Sequence, residues 1–160
     1  LEGAGAECIA LCANTAHNVA DKVQQSISIP LISIVDATVA AVQRQNIHKV
    51  ILLGTRFTMQ KPFLKGALES NGIEVVLPNA NDMNFIHASI FDELGKGIFT
   101  EATRARYLSI IESLAKTGAQ GVIFACTEIP MLIKREEATL PVFDTTEIHV
   151  AAISRFVLDK

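Results

Sequence analysis

The sequence predicts an α/β fold built on parallel sheets. Short apolar runs, such as residues 50–53 and 121–125, alternate with longer segments in which apolar residues recur every three or four positions. The short runs are typical of buried strands and the longer segments of amphipathic helices. Their alternation indicates βαβ units, in which consecutive strands are parallel. Several strands also end in glycine or hydroxyl residues, at the sheet edge where such folds bind ligands.

Capping and breaking residues set the predicted ends of the elements. Thr15 and Asp36 are the predicted caps of the first two helices, and Pro30 precedes the second strand. Residues 144–147 resemble a capping box that opens the last helix. In chain order, the predicted strands are residues 9–12, 31–35, 49–54, 73–77, 121–125 and 141–143. The predicted helices are residues 16–23, 37–45, 63–70, 81–94, 100–116 and 145–158.

Composition fits a globular protein and argues against several classes of function. With 49% hydrophobic and 19% charged residues, the 160-residue chain can form one domain or two small lobes with a sizeable core. A net charge of −3 and an aromatic content of 6% argue against nucleic acid as a partner. No apolar run approaches the length of about 18 residues that a spanning helix needs, so no membrane partner is expected.

The three cysteines, Cys8, Cys12 and Cys126, are predicted to be free thiols. Their number is odd, and they form neither a Cys-x-x-Cys motif nor a cluster with histidine, which argues against a disulfide framework and a metal site. Free thiols suit a reducing compartment, so a cytoplasmic location is expected. Of the four histidines, only His149 is considered for a role in a cleft, and the others are expected at the surface or at helix caps.

Two predicted strands end in a cysteine that polar side chains follow. The strand 121–125 runs into Cys126, and the strand from residue 9 runs into Cys12. Because the carboxyl ends of parallel strands meet at one sheet edge, the two cysteines are predicted to lie on two walls of one cleft. A helix N-terminus or a cation beside such a thiol would favour the thiolate. Buried cysteines are more often small core residues, so residue type alone assigns no chemistry.

Five short segments together form the pattern of a known family. They are residues 14–17 (Asn-Thr-Ala-His), 54–59, 95–97 (Gly-Lys-Gly), 125–128 (Ala-Cys-Thr-Glu) and 143–149. Through these motifs the whole chain resembles the aspartate/glutamate racemase family of cofactor-independent amino-acid racemases. The Cys-Thr-Glu form is similar to the aspartate racemase and broad amino-acid racemase branch. The resemblance implies two Rossmann-like lobes with parallel sheets and an active site in the cleft between them.

The resemblance also implies how the chain is divided. Residues 1–44 and 145–160 would form part of a first lobe, and residues 45–144 would form the second lobe. The strand-helix units that open the family's first lobe have no counterpart in this sequence. We therefore expect the first lobe to be incomplete and the chain to start partway through the fold. An edge exposed by missing strands would favour association, for example as a homodimer.

The resemblance assigns candidate roles residue by residue. Cys126 matches the second catalytic cysteine. The family's first catalytic cysteine directly precedes the Asn-Thr pair, where this chain has Ala13, and Cys12 lies one residue earlier. Cys12 is either a core residue or a displaced catalytic residue, because a one-residue offset would point it away from the cleft unless the strand ends in a bulge. The implied substrate-binding residues are Asn14, Thr15, Thr58, Lys96 and Thr127.

The implied function is that of an isomerase, which racemises aspartate, glutamate or a similar small acidic amino acid through cysteine-mediated proton transfer at Cα. Neither pyridoxal phosphate, nor another cofactor, nor a metal is expected. Lys96, Asn14 and Thr15 would hold the carboxylates and offset the charge of the carbanion. Two alternatives stay open: a single-thiol decarboxylase or isomerase of a related dicarboxylate, and an inactive, truncated or ligand-binding form.

Overall fold

The strands pair into two parallel sheets in a computed structural model that describes residues 1–158. The strands are β1 (Ile9–Ala10), β2 (Leu31–Ile32), β3 (Lys49–Gly54), β4 (Glu74–Val76), β5 (Gly121–Ala125) and β6 (Val142–Asp144). The larger sheet has the order β4-β3-β5-β6, and the smaller sheet pairs β1 with β2. These pairings are parallel throughout the described part of the chain, as the alternation of strands and helices predicted.

Helices connect the strands and cover the larger sheet. They are α1 (Ala20–Gln25), α2 (Ile34–Arg44), α3 (Arg56–Gln60), α4 (Pro62–Ser70), α5 (Ala80–Asp92), α6 (Glu101–Ala115), α7 (Ile129–Leu132) and α8 (Thr145–Leu158). Short 3-10 helices cover Glu2–Ala4, Thr15–Val19, Leu94–Lys96 and Arg135–Glu137. The short helices α3 and α7 follow β3 and β5 and were not predicted as separate elements.

The larger sheet is buried on both faces, which explains why its strands are unbroken apolar runs. Along β3, Ile51 and Leu53 belong to the core cluster that includes α5 and α6, whereas Val50 and Leu52 belong to the cluster that includes α2 and α4. All four side chains are 0% exposed. Complete burial of each such side chain stabilises the fold by about 1.5–3 kcal/mol. The carboxyl end of β3 is therefore held in place by a well-packed core.

The register between β3 and β5 places their carboxyl ends side by side. Gly54, the last residue of β3, pairs with Ala125, the last residue of β5. A Cβ atom on Gly54 would lie 3.0 Å from the carbonyl oxygen of Ala125 and 3.3 Å from the Cβ of Thr58. Glycine at this position therefore lets β3, β5 and α3 approach closely, directly beside Cys126.

The prediction that residues 31–35 form a strand and that Asp36 caps the next helix is wrong. β2 ends at Ile32, and α2 begins at Ile34 with Ser33 as its N-cap. The Ser33 Oγ accepts from the backbone N–H of Asp36 at 3.2 Å. Ile34 and Val35 are β-branched but buried against the larger sheet, and this packing overrides their preference for a strand. Asp36 lies in the first turn of α2, where a negative charge is favourable.

The prediction that Thr15 caps a helix is also wrong. Residues Thr15–Val19 form a 3-10 helix, and the α-helix begins only at Ala20. Asn14 occupies the N-cap position of the 3-10 helix, but its side chain makes no capping hydrogen bond. The Asn14 Nδ2 instead donates across the molecule to Thr145, and Oδ1 accepts no hydrogen bond from the helix.

The start of α8 follows its prediction in part. Asp144 Oδ1 accepts from the backbone N–H groups of Thr146 at 2.8 Å and Glu147 at 3.3 Å, as a helix cap does. The Glu147 carboxylate does not close a capping box, because it forms an ion pair with Arg135. The N-terminus of α8 therefore has the Asp144 side-chain cap but lacks the reciprocal hydrogen bond of a capping box.

The smaller sheet contains the two strands that were expected near Cys12 and Leu31. His149 of α8 donates from Nε2 to the carbonyl oxygen of Ile32 at 2.7 Å, which ties the last helix to this sheet. The division into lobes of 1–44 with 145–160 and of 45–144 stays a prediction, and residues 159 and 160 lie outside the described residues. Within residues 1–158, no helix is both long enough and apolar enough to cross a membrane.

Candidate active site

A small cavity lies where the carboxyl ends of β1, β3 and β5 meet. Its volume is about 130 Å³. Six of the seven side chains predicted for the site line it, and Lys96 does not. Larger cavities of about 350 Å³ between α2 and α8 and about 480 Å³ beside β2 contain no cysteine, so volume alone would point elsewhere. The residues that line the small cavity are Cys12, Ala13, Asn14, Thr15, Thr55, Thr58, Ala125, Cys126 and Thr127.

Cys126 follows β5 directly and is partly buried. Its Sγ donates a hydrogen bond to Glu128 Oε2 at 2.9 Å. Burial, helped by this hydrogen bond, raises the pKa of the Cys126 thiol to about 12. The expected preference for a thiolate at this position is therefore wrong: the group is a protonated thiol at neutral pH. The helix that follows, α7, has only four residues, and Glu128 stands at its N-terminus.

Glu128 is the functional candidate that the sequence left undecided. Its Oε2 accepts from the Cys126 thiol and also from the Thr127 hydroxyl at 2.7 Å. Burial alone would raise the pKa of this carboxyl, but the two hydrogen bonds outweigh it and the pKa is lowered. A carboxylate at neutral pH thus lies in contact with a neutral thiol.

Cys12 reaches the same cavity from the opposite wall. β1 ends at Ala10, so the chain leaves the strand two residues before Cys12. The alternation of strand side chains, which would have pointed Cys12 away from the cleft, no longer applies there. Cys12 is exposed and lines the cavity together with Ala13. The early strand end has the effect that the sequence analysis assigned to a bulge.

His17 fixes the backbone of the Cys12 wall and is buried, contrary to the expectation of a surface or capping histidine. Its Nε2 accepts from the backbone N–H of Ile34 at 3.1 Å, so Nδ1 carries the proton and donates to the carbonyl oxygen of Ala13 at 2.9 Å. Burial lowers the pKa of His17, which favours this neutral form. His149 packs edge-on against His17, with ring centroids 5.6 Å apart.

Asn14 is held by a residue that the sequence analysis did not select. Its Nδ2 donates to Thr145 Oγ1 at 3.0 Å, and the Thr145 hydroxyl donates to the carbonyl oxygen of Phe124 at 3.0 Å. Asn14 is only 6% exposed, and its Oδ1 is buried without a hydrogen-bond partner among residues 1–158. The only sequence signal for Thr145 is its place in segment 143–149.

The third wall comes from the start of α3. Thr55 is the N-cap of α3, and its Oγ1 accepts from the backbone N–H of Thr58 at 3.3 Å. The two hydroxyl oxygens are 3.1 Å apart, and Thr58 is fully buried. The close approach at Gly54 brings this pair beside Ala125. Hydroxyl groups from this wall therefore face the same space as the thiols.

The motifs and the cavity agree with a comparison of the whole sequence with known families. Residues 1–153 match the sequence model of the Asp/Glu/Hydantoin racemase family. The chain belongs to this family. A relative in the racemase family is RacX, a broad specificity amino-acid racemase from Bacillus subtilis (strain 168), with 28% identity over 148 residues. That match covers 91% of this chain but 63% of RacX, so the chain spans less than two thirds of this relative.

Solved structures of the racemase family share the fold. A proposed Asp/Glu racemase from Yersinia pestis is 44% identical with a TM-score of 0.94, over 98% of this chain and 69% of that one. An aspartate racemase homologue from Pyrococcus horikoshii OT3 is 39% identical with a TM-score of 0.87, over 96% of this chain and 68% of that one. The α/β architecture with parallel sheets is thus the architecture of these racemase-family structures.

Lys96 is the site residue that this racemase-family structure does not bring to the cavity. It ends the 3-10 helix Leu94–Lys96, before Gly97 in a left-handed conformation. Its side chain is 60% exposed, and Nζ lies 3.8 Å from Asp92 Oδ1. Within residues 1–158, no group of three or more His, Cys, Asp or Glu side chains is placed to hold a metal ion.

Proposed function

We propose that the protein racemises a small acidic amino acid, aspartate or glutamate, by exchanging the Cα proton through Cys126 without a cofactor. The observation that carries this proposal is the Cys126–Glu128 hydrogen bond in a cavity that Cys12 also lines. Family membership supports the reaction class. Because the chain spans 63% of RacX, the activity is proposed for the full-length protein.

The proposed reaction begins with a proton transfer inside the site. Glu128 takes the thiol proton of Cys126 while the sulfur removes the proton from Cα, so a free thiolate does not have to form first. The electron pair of the broken C–H bond stays on Cα, where the adjacent carboxylate delocalises it. The thiol of Cys12 delivers a proton to the other face, which forms the enantiomer. Cys126 then holds the proton from Cα, and Glu128 returns its proton through water to Cys12, so the starting protonation is restored and no oxidant or reductant is consumed.

The polar walls are proposed to hold the substrate during this step. Hydroxyl groups of Thr15, Thr58 and Thr127, with Asn14, surround the space between the thiols. Their donors would offset the negative charge that develops on the carbanion and its carboxylate. Lys96 has no part in the proposal at its observed position, because it pairs with Asp92 outside the cavity.

The second candidate is a single-thiol decarboxylase of a related dicarboxylate. Ala13 replaces the family's first catalytic cysteine, and Cys126 is hydrogen-bonded to the Glu128 carboxylate. In that reaction loss of carbon dioxide would leave the electron pair on carbon, and the Cys126 thiol would donate the proton. A raised pKa suits a thiol that acts as an acid.

One experiment on the full-length protein tests both candidates. The protein is incubated in D₂O with aspartate, glutamate and a malonate, while Cα deuterium, enantiomer ratio and carbon dioxide are followed. We expect the wild-type protein to incorporate deuterium at Cα of an amino acid and to produce both enantiomers. Cys126→Ser should abolish deuterium incorporation and racemisation. Cys8→Ser should retain both activities, because Cys8 does not line the cavity. Carbon dioxide release without amino-acid exchange would reject the racemase and support the decarboxylase.

A further inference from the structure

The amide of Asn14 can adopt only one orientation. The Thr145 hydroxyl has a single hydrogen, which it donates to the carbonyl oxygen of Phe124 at 3.0 Å. It can therefore offer only a lone pair to Asn14, and the amide must present Nδ2, as observed at 3.0 Å. A flipped amide would place Oδ1 against an oxygen with no hydrogen left to give. Thr145 is 0% exposed, so water does not compete for this position.

This orientation leaves an acceptor without a donor. Asn14 Oδ1 is buried and has no hydrogen-bond partner within the described residues, although buried polar groups are nearly always paired. Asn14 lines the cavity between the thiols, whereas Thr145 does not. A molecule bound in the cavity would lie beside Asn14 and would bring the donor that Oδ1 lacks. Thr145 acts on that molecule only through Asn14.

We propose that Thr145 is a positioning residue that fixes Asn14 Oδ1 as an acceptor for the ammonium group of the substrate, and so makes the site select amino acids over the corresponding dicarboxylates. This inference rests on the proposed function. The carboxylates of an acidic amino acid are ionised and only accept hydrogen bonds, whereas its ammonium group only donates them. Succinate has the two carboxylates of aspartate but no ammonium group, so it has no hydrogen-bond donor for Asn14 Oδ1.

The test measures how Thr145 affects selectivity rather than affinity alone. Aspartate and succinate are titrated by calorimetry into the full-length wild-type protein and its Thr145→Val and Thr145→Ser variants. Valine keeps the shape of threonine without the hydroxyl, and serine keeps the hydroxyl. We expect Thr145→Val to weaken aspartate at least tenfold, because a hydrogen bond to a charged group is lost. Succinate should change less than about twofold, and Thr145→Ser should keep the wild-type ratio within about threefold.

Several outcomes would overturn the inference. Equal weakening of aspartate and succinate in Thr145→Val would mean a merely structural role, and unchanged binding of both would mean no role. If Thr145→Val does not show a cooperative thermal transition, Thr145→Ala is judged by the same two affinities. Binding is measured independently of turnover. Selective loss of aspartate in a protein that exchanges no Cα proton would therefore keep the inference and reject the racemase.

Discussion

The Cys126 thiol and the Glu128 carboxylate form a hydrogen-bonded pair at the end of β5, with 2.9 Å between Sγ and Oε2. The two residues bracket Thr127, whose hydroxyl donates to the same oxygen. A thiol beside a carboxylate resists ionisation, yet it has a base at hand that can take its proton. The chemistry proposed for the site depends on this pair more than on either residue alone.

Replacing the Glu128 carboxylate with an amide should show whether Glu128 accepts the proton of the Cys126 thiol or only holds the thiol in position. In Glu128→Gln the amide can still bond to Cys126 but cannot accept its proton, so we expect the rate of Cα exchange to fall by about 10²–10⁴. Exchange of deuterium into aspartate or glutamate measures the loss. Glu136→Gln is the matched control, because Glu136 is exposed and does not line the cavity. Wild-type exchange in Glu128→Gln would remove Glu128 from the mechanism.

The raised pKa of Cys126 predicts how alkylation depends on pH. Only the thiolate reacts, and the thiolate fraction of a group with a pKa of about 12 grows tenfold per pH unit below that value. We expect Cys126 to be modified slowly by iodoacetamide at pH 8 and about tenfold faster at each of pH 9 and 10. Cys12, which is exposed, should be modified first. Peptide mass spectrometry resolves the two sites. Faster modification of Cys126 than of Cys12 at pH 8 would contradict the structure.

Substitutions of Cys12 and Ala13 should change the rate at which one enantiomer is converted into the other more than the rate at which the Cα proton exchanges with solvent. Removing the second acid in Cys12→Ala should slow racemisation in both directions, because the equilibrium between enantiomers is fixed. Exchange of one enantiomer should be affected less, since Cys126 alone can remove and return its proton. Ala13→Cys should raise racemisation more than exchange. The readout is the ratio of inverted to exchanged amino acid, and an unchanged ratio in both variants would show that water is the second acid.

Gly54 should tolerate no side chain. A Cβ there would lie 3.0 Å from the carbonyl oxygen of Ala125, a backbone atom that cannot move without shifting β5. We expect Gly54→Ala to lower the free energy of unfolding by about 1–3 kcal/mol, as overpacked cores do. Gly3→Ala is the control, because nothing lies within 4 Å of its added Cβ. Chemical denaturation measures both variants. Equal stability of Gly54→Ala and wild type would mean that the strands separate easily at this edge.

Local patterns were sufficient to predict where all six strands of residues 1–158 lie, although not where each one ends, and six of the seven side chains that the resemblance implied line the cavity. Apolar runs ending in Cys126 and near Cys12 identified strand ends, and parallel strands deliver their ends to one edge. Sequence could not locate the end of β1 within two residues, and this small distance decides whether Cys12 faces the cavity. Lys96, like the other substrate-binding residues, was assigned by the resemblance, but its segment packs so that Nζ lies 3.8 Å from Asp92 Oδ1.

Contacts between distant residues explain the other differences. The place of Thr145 in the segment 143–149 did not reveal its contact, because its partner Asn14 is 131 residues away in the chain. Ser33 rather than Asp36 caps α2, because the buried side chains of Ile34 and Val35 draw the helix start toward the sheet. Burial, not the neighbouring helix end, decides the protonation of Cys126.

The hydrogen bond between Asn14 and Thr145 also has a consequence for biosynthesis. Asn14 is translated 131 residues before Thr145, so its amide is oriented only after α8 has been translated and has docked beside β5. A translation product that stops before residue 145 would contain the two cysteines of the cavity, Cys12 and Cys126, but its Asn14 amide would have no fixed direction.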